Sequence, residues 1–436
     1  MKLIKTFNSA VYLQLSLFIF LSSASTTLYA QTIVNTQKSG SNATPLQNVQ
    51  SESARPPRRN PPPPQPPQPP QPPQPPQPPQ PPQPPQPPVD DDTTTLTDGS
   101  VVNTQALISL GNIIYHDTNL SNPVGQSCAS CHDLSTGFDD PNSANPSSVG
   151  ANQQVFGTRN APTASYSAFI PAPRMVNDPR GNQQLIGGLF MDGRAPSLEA
   201  QAKGPFLNPI EMGNATATEV IEKIAQSTYA REFELLFGTN VLLAADSAYN
   251  YVADAIAAFE RSTLFSPFTA KFDQVQANSA QYTAAEARGR NIFNNQGDCR
   301  RCHSSSGGND NTSPEIFSDF SYRNIGVSSN PQLPAFINDT NFADLGLGTI
   351  SGNRLNDGQF RVPTLRNISK TAPYMHNGVF STLREVVSFY NTRDTSFTEA
   401  PEVNRNVDQG GQIGELGLTD TEIDDLIAFL AALSDE

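Results

Sequence analysis

Cys128-Ala-Ser-Cys131-His132 and Cys299-Arg-Arg-Cys302-His303 decide how the rest of this 436-residue chain is read. Each is a Cys-x-x-Cys-His motif, and the chain holds only 4 cysteines and 4 histidines in all. Two thiols at this spacing can bond the vinyl groups of one haem, and the adjoining imidazole can ligate its iron. A redox dithiol or a structural zinc site would use the same cysteines. A zinc tetrahedron needs further ligands, and no other Cys or His pairs remain to supply them. Two covalently bound haem c groups are therefore expected, held by Cys128, Cys131 and His132 and by Cys299, Cys302 and His303.

Each motif follows a helical pattern. Ala106, Leu107, Leu110, Ile113 and Ile114 form an apolar stripe ahead of Cys128. Ahead of Cys299, Thr283 and Glu286 read as a capping box, with Ile292 and Phe293 on the same helix. A second box, Thr419 and Glu422, opens a closing amphipathic helix through Ile423, Leu426, Ile427, Leu430 and Leu433. Helix, haem motif, loops and closing helix is the plan of a cytochrome c domain. The fold class is mostly α with long loops: two cytochrome c-like domains, 96–270 and 271–436, each with one covalently bound haem.

The start of the chain differs. Residues 1–30 read as a signal peptide: Lys2 and Lys5, an apolar stretch from Val11 to Leu21, and an imperfect cleavage site at Leu28-Tyr29-Ala30. Export to the periplasm or cell surface of a bacterium fits a haem attached outside the cytoplasm. Residues 31–95 read as a disordered Pro-rich segment, in which Gln65, Gln68, Gln71 and their successors to Gln86 recur every third residue. A polyproline helix would align them on one edge of a rod, about 85 Å long from Pro61 to Pro88 at about 3.1 Å per residue. No apolar stretch is long enough for a membrane span. The net charge of −14 argues against nucleic acid as a partner.

Histidine arithmetic limits the irons. With His132 and His303 consumed, only His116 and His376 remain. An iron with an open sixth position can bind peroxide, whereas a six-coordinate iron mainly transfers electrons. His116, at the end of the first helix, reads as a surface or packing residue. Met375 is the only methionine after the second motif, and bare chemistry nominates it as that iron's sixth ligand.

From about Gln105 to Leu433 the chain resembles the bacterial di-haem cytochrome c peroxidases, most closely their MauG-like branch. The resemblance is carried by LGNIIYHDTNLS from Leu110, RNAPT from Arg159, and MDGRAPSLEAQAKGPFLNPIEMG from Met191. FRVPTLRN from Phe360 and TAPYMHNGVFSTLREVVSFYN from Thr371 complete it. The resemblance implies a peroxidase that reduces hydrogen peroxide at an open first haem. It draws electrons through the second haem from a redox protein or an oxidisable protein substrate.

The resemblance also assigns roles. Gln201 and Glu211 correspond to the pair above the first haem, where a carboxylate can accept a peroxide proton and return it to the leaving oxygen. Some relatives block that haem with a histidine, and here the equivalent position is Asn152. For the second iron the family pattern selects Tyr390, fourteen residues after His376, against Met375. A phenolate stabilises ferric and higher iron, while thioether sulfur raises the potential. His376 becomes a residue beside the haems and Arg361 one near the propionates. Asn160, with the carbonyls of Thr371 and Pro373, corresponds to a calcium site. Met191 stands where the family has an inter-haem tryptophan; this chain has none. Two other readings stay open at this point: a di-haem electron carrier without catalysis, and an oxygenase acting on an organic substrate.

Overall fold

The computed structural model describes residues 92–178, 181–304, 315–409 and 413–436. The signal peptide and almost all of the Pro-rich segment lie outside the described residues. The exception corrects the expectation for 31–95. Thr93–Thr95 form strand β1, paired antiparallel with β2 (Val101–Asn103). Asp98 and Gly99 make the turn, Gly99 at φ +85°, and Leu96 is buried beneath it. The hairpin signal is the Asp-Gly pair between Thr-rich and Val-rich runs.

Among the described residues the chain is helix-rich, with three two-stranded sheets. In the first half the helices are α1 (Thr104–His116), α2 (Leu198–Leu207), α3 (Ala217–Ala225), α4 (Ala230–Phe237) and α5 (Ala245–Glu260). The second half adds α6 (Lys271–Gln276), α7 (Ala284–Asn294), α8 (Pro334–Asn338), α9 (Leu347–Ser351), α10 (Leu383–Thr392) and α11 (Asp420–Ala431). Hairpin β3 (Arg174–Asn177) and β4 (Gln183–Ile186) is local, whereas β5 (Tyr322–Arg323) pairs with the distant β6 (Phe360–Arg361).

Caps start the helices where the sequence places them. The boxes Thr283/Glu286 and Thr419/Glu422 both form, and Thr382/Glu385 adds a third at α10. Asn103 accepts from the Ala106 N–H to open α1. The α1 stripe is narrower than expected. Leu107, Leu110, Gly111 and Ile114 are buried, while Ala106 and Ile113 face solvent.

The core has two main bodies. One joins α1 to α5 through Leu107, Leu110, Ile114, Val252, Ile256 and Phe259. The other joins α7 to α11 through Ile292, Phe293, Ile423, Leu426 and Phe429. The two crossings are built alike. A Cβ on Gly111 would overlap the Ala255 carbonyl oxygen and press on Phe259; one on Gly289 would overlap the Asp425 carbonyl oxygen and press on Phe429. Each crossing thus pairs a glycine with an aromatic four residues beyond the contact, letting backbones touch.

Candidate haem sites

The two motifs adopt one conformation. Cys128–Ser130 and Cys299–Arg301 each form a single 3-10 turn. The following histidine N–H donates to the first cysteine carbonyl, at 3.0 Å for His132 and 2.9 Å for His303. The imidazoles are fixed the same way. His132 Nδ1 is 3.1 Å from the Phe138 carbonyl oxygen, and His303 Nδ1 is 3.1 Å from that of Phe317. With Nδ1–H donated to a carbonyl, Nε2 is left as a lone-pair donor, the tautomer an axial ligand requires. Burial holds both histidines below their ordinary pKa, so they stay neutral.

The thiols contradict a redox dithiol. All four cysteines are unpaired. Burial pushes Cys131 up to about 11 and Cys299 up to about 12, and raises Cys128 and Cys302 as well. Reactive dithiols need a depressed thiol pKa. Nor is zinc supported, because no cluster of three or more His, Cys, Asp or Glu side chains occurs among the described residues. Paired thiols, a neutral imidazole and its fixed tautomer together fit covalent haem.

Beside the second motif opens a cavity of about 1140 Å³. Its wall includes Cys299, Cys302, His303, Arg361, Met375, His376 and Tyr390. Tyr390, on α10, shares this wall with the attachment thiols, and its phenol is pushed up chiefly by burial. Among the described residues its hydroxyl has no hydrogen-bond partner. Met375 lies on the same wall with φ +72°.

Among the described residues Arg361 is a buried cation without a counter-ion. Its Nε and Nη1 reach only the carbonyls of Phe190 and Val362, both at 3.4 Å, and burial lowers its pKa to about 10. Among the described residues no carboxylate pairs with it. Such a charge is costly unless an anion joins it, and haem propionates are anions.

His376 is already committed. Its Nε2 lies 3.0 Å from Glu402 Oε2, and its ring stacks on Phe360 at 3.9 Å. Its carbonyl accepts from Asn160 N–H at 2.8 Å. His116 is exposed, with Nδ1 2.9 Å from the Asn112 carbonyl one turn back. Around Asn160 the donors are oxygens. In one amide orientation Oδ1 faces the carbonyls of Pro373 at 3.3 Å and Ala161 at 3.0 Å; exchanging O and N turns both contacts into hydrogen bonds. Thr371 and Pro373 are buried beside it on the larger cavity. Met191 lines that cavity too, and its carbonyl accepts from Arg361 N–H at 2.8 Å.

On the first side, Glu211 follows α2 in a turn whose carbonyl accepts from Ala151 N–H at 2.7 Å. It lines a second cavity, about 340 Å³, with Phe190, Arg194, Ala200, Gly204 and Asn208. Burial raises the Glu211 carboxyl, opposed by the nearby Arg194 charge and a hydrogen bond from Asn208. The thiols of Cys128 and Cys131 both feel its charge, which ties this cavity to the first motif. Gln201 sits on α2, half-buried, and neither it nor His132 is on that wall. Asn152 is exposed, its Oδ1 accepting from Gln154 N–H. Sequence reasoning missed Arg194, which a DGRA motif beside a carboxylate-bearing turn could have flagged.

Residues 105–281 match the family described as di-haem cytochrome c peroxidase. The chain is 37% identical over 349 residues to the methylamine utilization protein MauG of Paracoccus denitrificans (strain Pd 1222), covering 76% of this chain and 89% of that protein. The chain belongs to the di-haem cytochrome c peroxidase family. It is also 32% identical to the cytochrome c551 peroxidase of Nitrosomonas europaea, over 64% of this chain and 71% of that one. The crystal structure of the diheme peroxidase BthA from Burkholderia thailandensis E264 superposes with a TM-score of 0.68 at 33% identity, covering 76% of this chain and 86% of that one. Membership carries haem c as cofactor and makes the protein an oxidoreductase, a di-haem peroxidase of the MauG-like kind. A non-catalytic carrier is not favoured. Among the described residues no helix is long and apolar enough to cross a membrane.

Proposed function

We propose that this chain is an exported di-haem peroxidase whose two core bodies are two cytochrome c-like domains, one binding peroxide and one relaying electrons. The carrying observation is Glu211: a half-buried carboxyl on the wall of a small cavity, within electrostatic reach of the first pair of haem-attachment thiols. Bound haem supplies an iron site for hydrogen peroxide and the electrons that break its O–O bond. The Glu211 carboxylate takes a proton from one peroxide oxygen and returns it to the other, so that the second leaves as water. Gln201, half-buried on α2 and off the cavity wall, is the second residue the resemblance assigns to this step.

His132 and His303 would each hold one haem iron. Tyr390 rather than Met375 would hold the second iron, supported by its place on the cavity wall that Cys299 and Cys302 also line. Arg361 pairs with haem propionates. His376, locked to Glu402, shapes the space between the haems. A calcium ion bound by Asn160 and the carbonyls of Thr371 and Pro373 fits the oxygen-only surroundings and would select one amide orientation. Electrons come from a redox protein or an oxidisable protein substrate in the bacterial periplasm or at the cell surface.

The test is spectroscopic. Electron paramagnetic resonance of the oxidised holoprotein is expected to show one high-spin and one low-spin ferric haem. Tyr390→Phe is expected to change the low-spin signal and raise that haem's potential, with Met375→Leu nearly silent. Two low-spin haems at rest would refute the open first site, and the reverse response of the two variants would refute Tyr390.

A further inference from the structure

Arg194 shares the smaller cavity with Glu211, and nothing in the catalytic reading above uses it. Its guanidinium lies 3.5 Å over the Phe190 ring. Its Nη1 donates to both carboxylate oxygens of Asp192, at 2.9 and 2.8 Å. Asp192 is almost fully buried and is held from behind by Arg159 Nη1 at 2.6 Å. Arg159 is itself bonded to Asp344 at 2.5 Å. A partly exposed arginine on a loop would ordinarily sample many rotamers. This one is fixed on one side by an aromatic face and on another by a clamped carboxylate.

Along the rest of the wall, Ala195, Pro196, Ala200, Gly204 and Asn208 are uncharged, so Arg194 and Glu211 are the only charged side chains lining this cavity among the described residues. We propose that Arg194 is a positioning residue of the peroxide site, clamped by Asp192 so that its charge holds Glu211 in the carboxylate form able to accept the peroxide proton. The proposal rests on the reading of Glu211 as the proton-transfer group. Burial and Arg194 act on that carboxyl in opposite directions. Burial alone pushes the carboxyl toward its protonated form, and a protonated carboxyl cannot take the first proton. The groups around the Glu211 carboxyl are Asn208 from the end of α2, Arg194 with Asp192 and Arg159 behind it, and the thiols of Cys128 and Cys131, while the Ala151 N–H meets only the Glu211 backbone carbonyl.

The experiment uses holoprotein with Arg194→Met, Arg194→Gln and Arg194→Lys. The infrared carboxyl band of Glu211, assigned by its loss in Glu211→Gln, is followed against pH without peroxide. Both neutral variants are expected to raise its midpoint and Lys to restore most of the wild-type value. Each unit of rise leaves about tenfold less carboxylate at pH values below both midpoints. The peroxide reaction should slow by the same factor there and converge with wild type at alkaline pH. An unchanged midpoint in both neutral variants, with intact haem spectra, overturns the proposal. If the midpoint moves but Glu211→Gln reacts with peroxide at the wild-type rate, the Arg194–Glu211 coupling stands and the catalytic reading of Glu211 falls.

Discussion

The halves around His132 and His303 share a kernel and differ in what faces it. In both, a glycine-aromatic helix crossing precedes or closes around a 3-10 turn of cysteines, and a histidine is pinned by a carbonyl at 3.1 Å. Beyond the kernel they diverge. The first half sets a carboxyl and a clamped arginine around about 340 Å³, and the second sets a phenol, a thioether and an unpaired arginine around about 1140 Å³. The kernel is a mount for the ring, repeated because the covalent problem repeats. The residues proposed for the chemistry stand on the opposite walls.

Four sets of changes probe that division. The largest effect belongs to Glu211→Gln, expected to slow the peroxide reaction by roughly 10²–10⁴ while leaving both haem spectra in place. Stopped-flow spectra with an unaltered rate would mean the walls do not divide the labour in this way.

Next is Glu260, the residue after Phe259 on α5, whose counterpart after Phe429 is Leu430. It is buried, its Oε2 has no partner, and burial pushes it up to about 8. A raised folded pKa means stability present below the unfolded value near 4.5 and lost as pH climbs through about 8. Glu260→Leu, copying the other half, is expected to gain on the order of 3–5 kcal/mol above pH 8 and little near pH 4. Denaturant melts at both pH values check this.

Gly111→Ala and Gly289→Ala should each cost about 1–3 kcal/mol, because both methyl groups meet a backbone carbonyl that cannot move alone. Equal losses would support one shared crossing; a silent variant would break the equivalence. Smallest is the cap series. Thr283→Ala and Thr419→Ala should lower stability by about 1 kcal/mol each, read in thermal melts of the whole protein.

What was legible in the sequence was local. The haem motifs, the Thr283 and Thr419 caps and the α11 stripe declare themselves within a few residues, where spacing alone sets geometry. Gly111 gave no such signal, since a glycine in a helix is explained only by Ala255, far along the chain. Glu260 carries no local signal either, since its burial follows only from how α5 packs into the core. Thr93–Thr95 pass for linker because threonines lack the apolar alternation that marks a strand, although Asp98-Gly99 announces the turn. At the site, the resemblance named Glu211 and Arg361 and the structure supplies their surroundings, but it sets Gln201 off the cavity wall.

The larger cavity has one further consequence. Its wall is drawn from Asn160, Tyr166 and Met191 as well as from residues beyond 290. The Asn160 N–H reaches the His376 carbonyl, and Ser321 bridges to Ile186. A gene divided near residue 270 would therefore separate the second haem motif from part of its own housing. Such a fragment could keep its helices and still present a ring open to solvent on one flank. The unit that evolution can shuffle is then the pair, not the half.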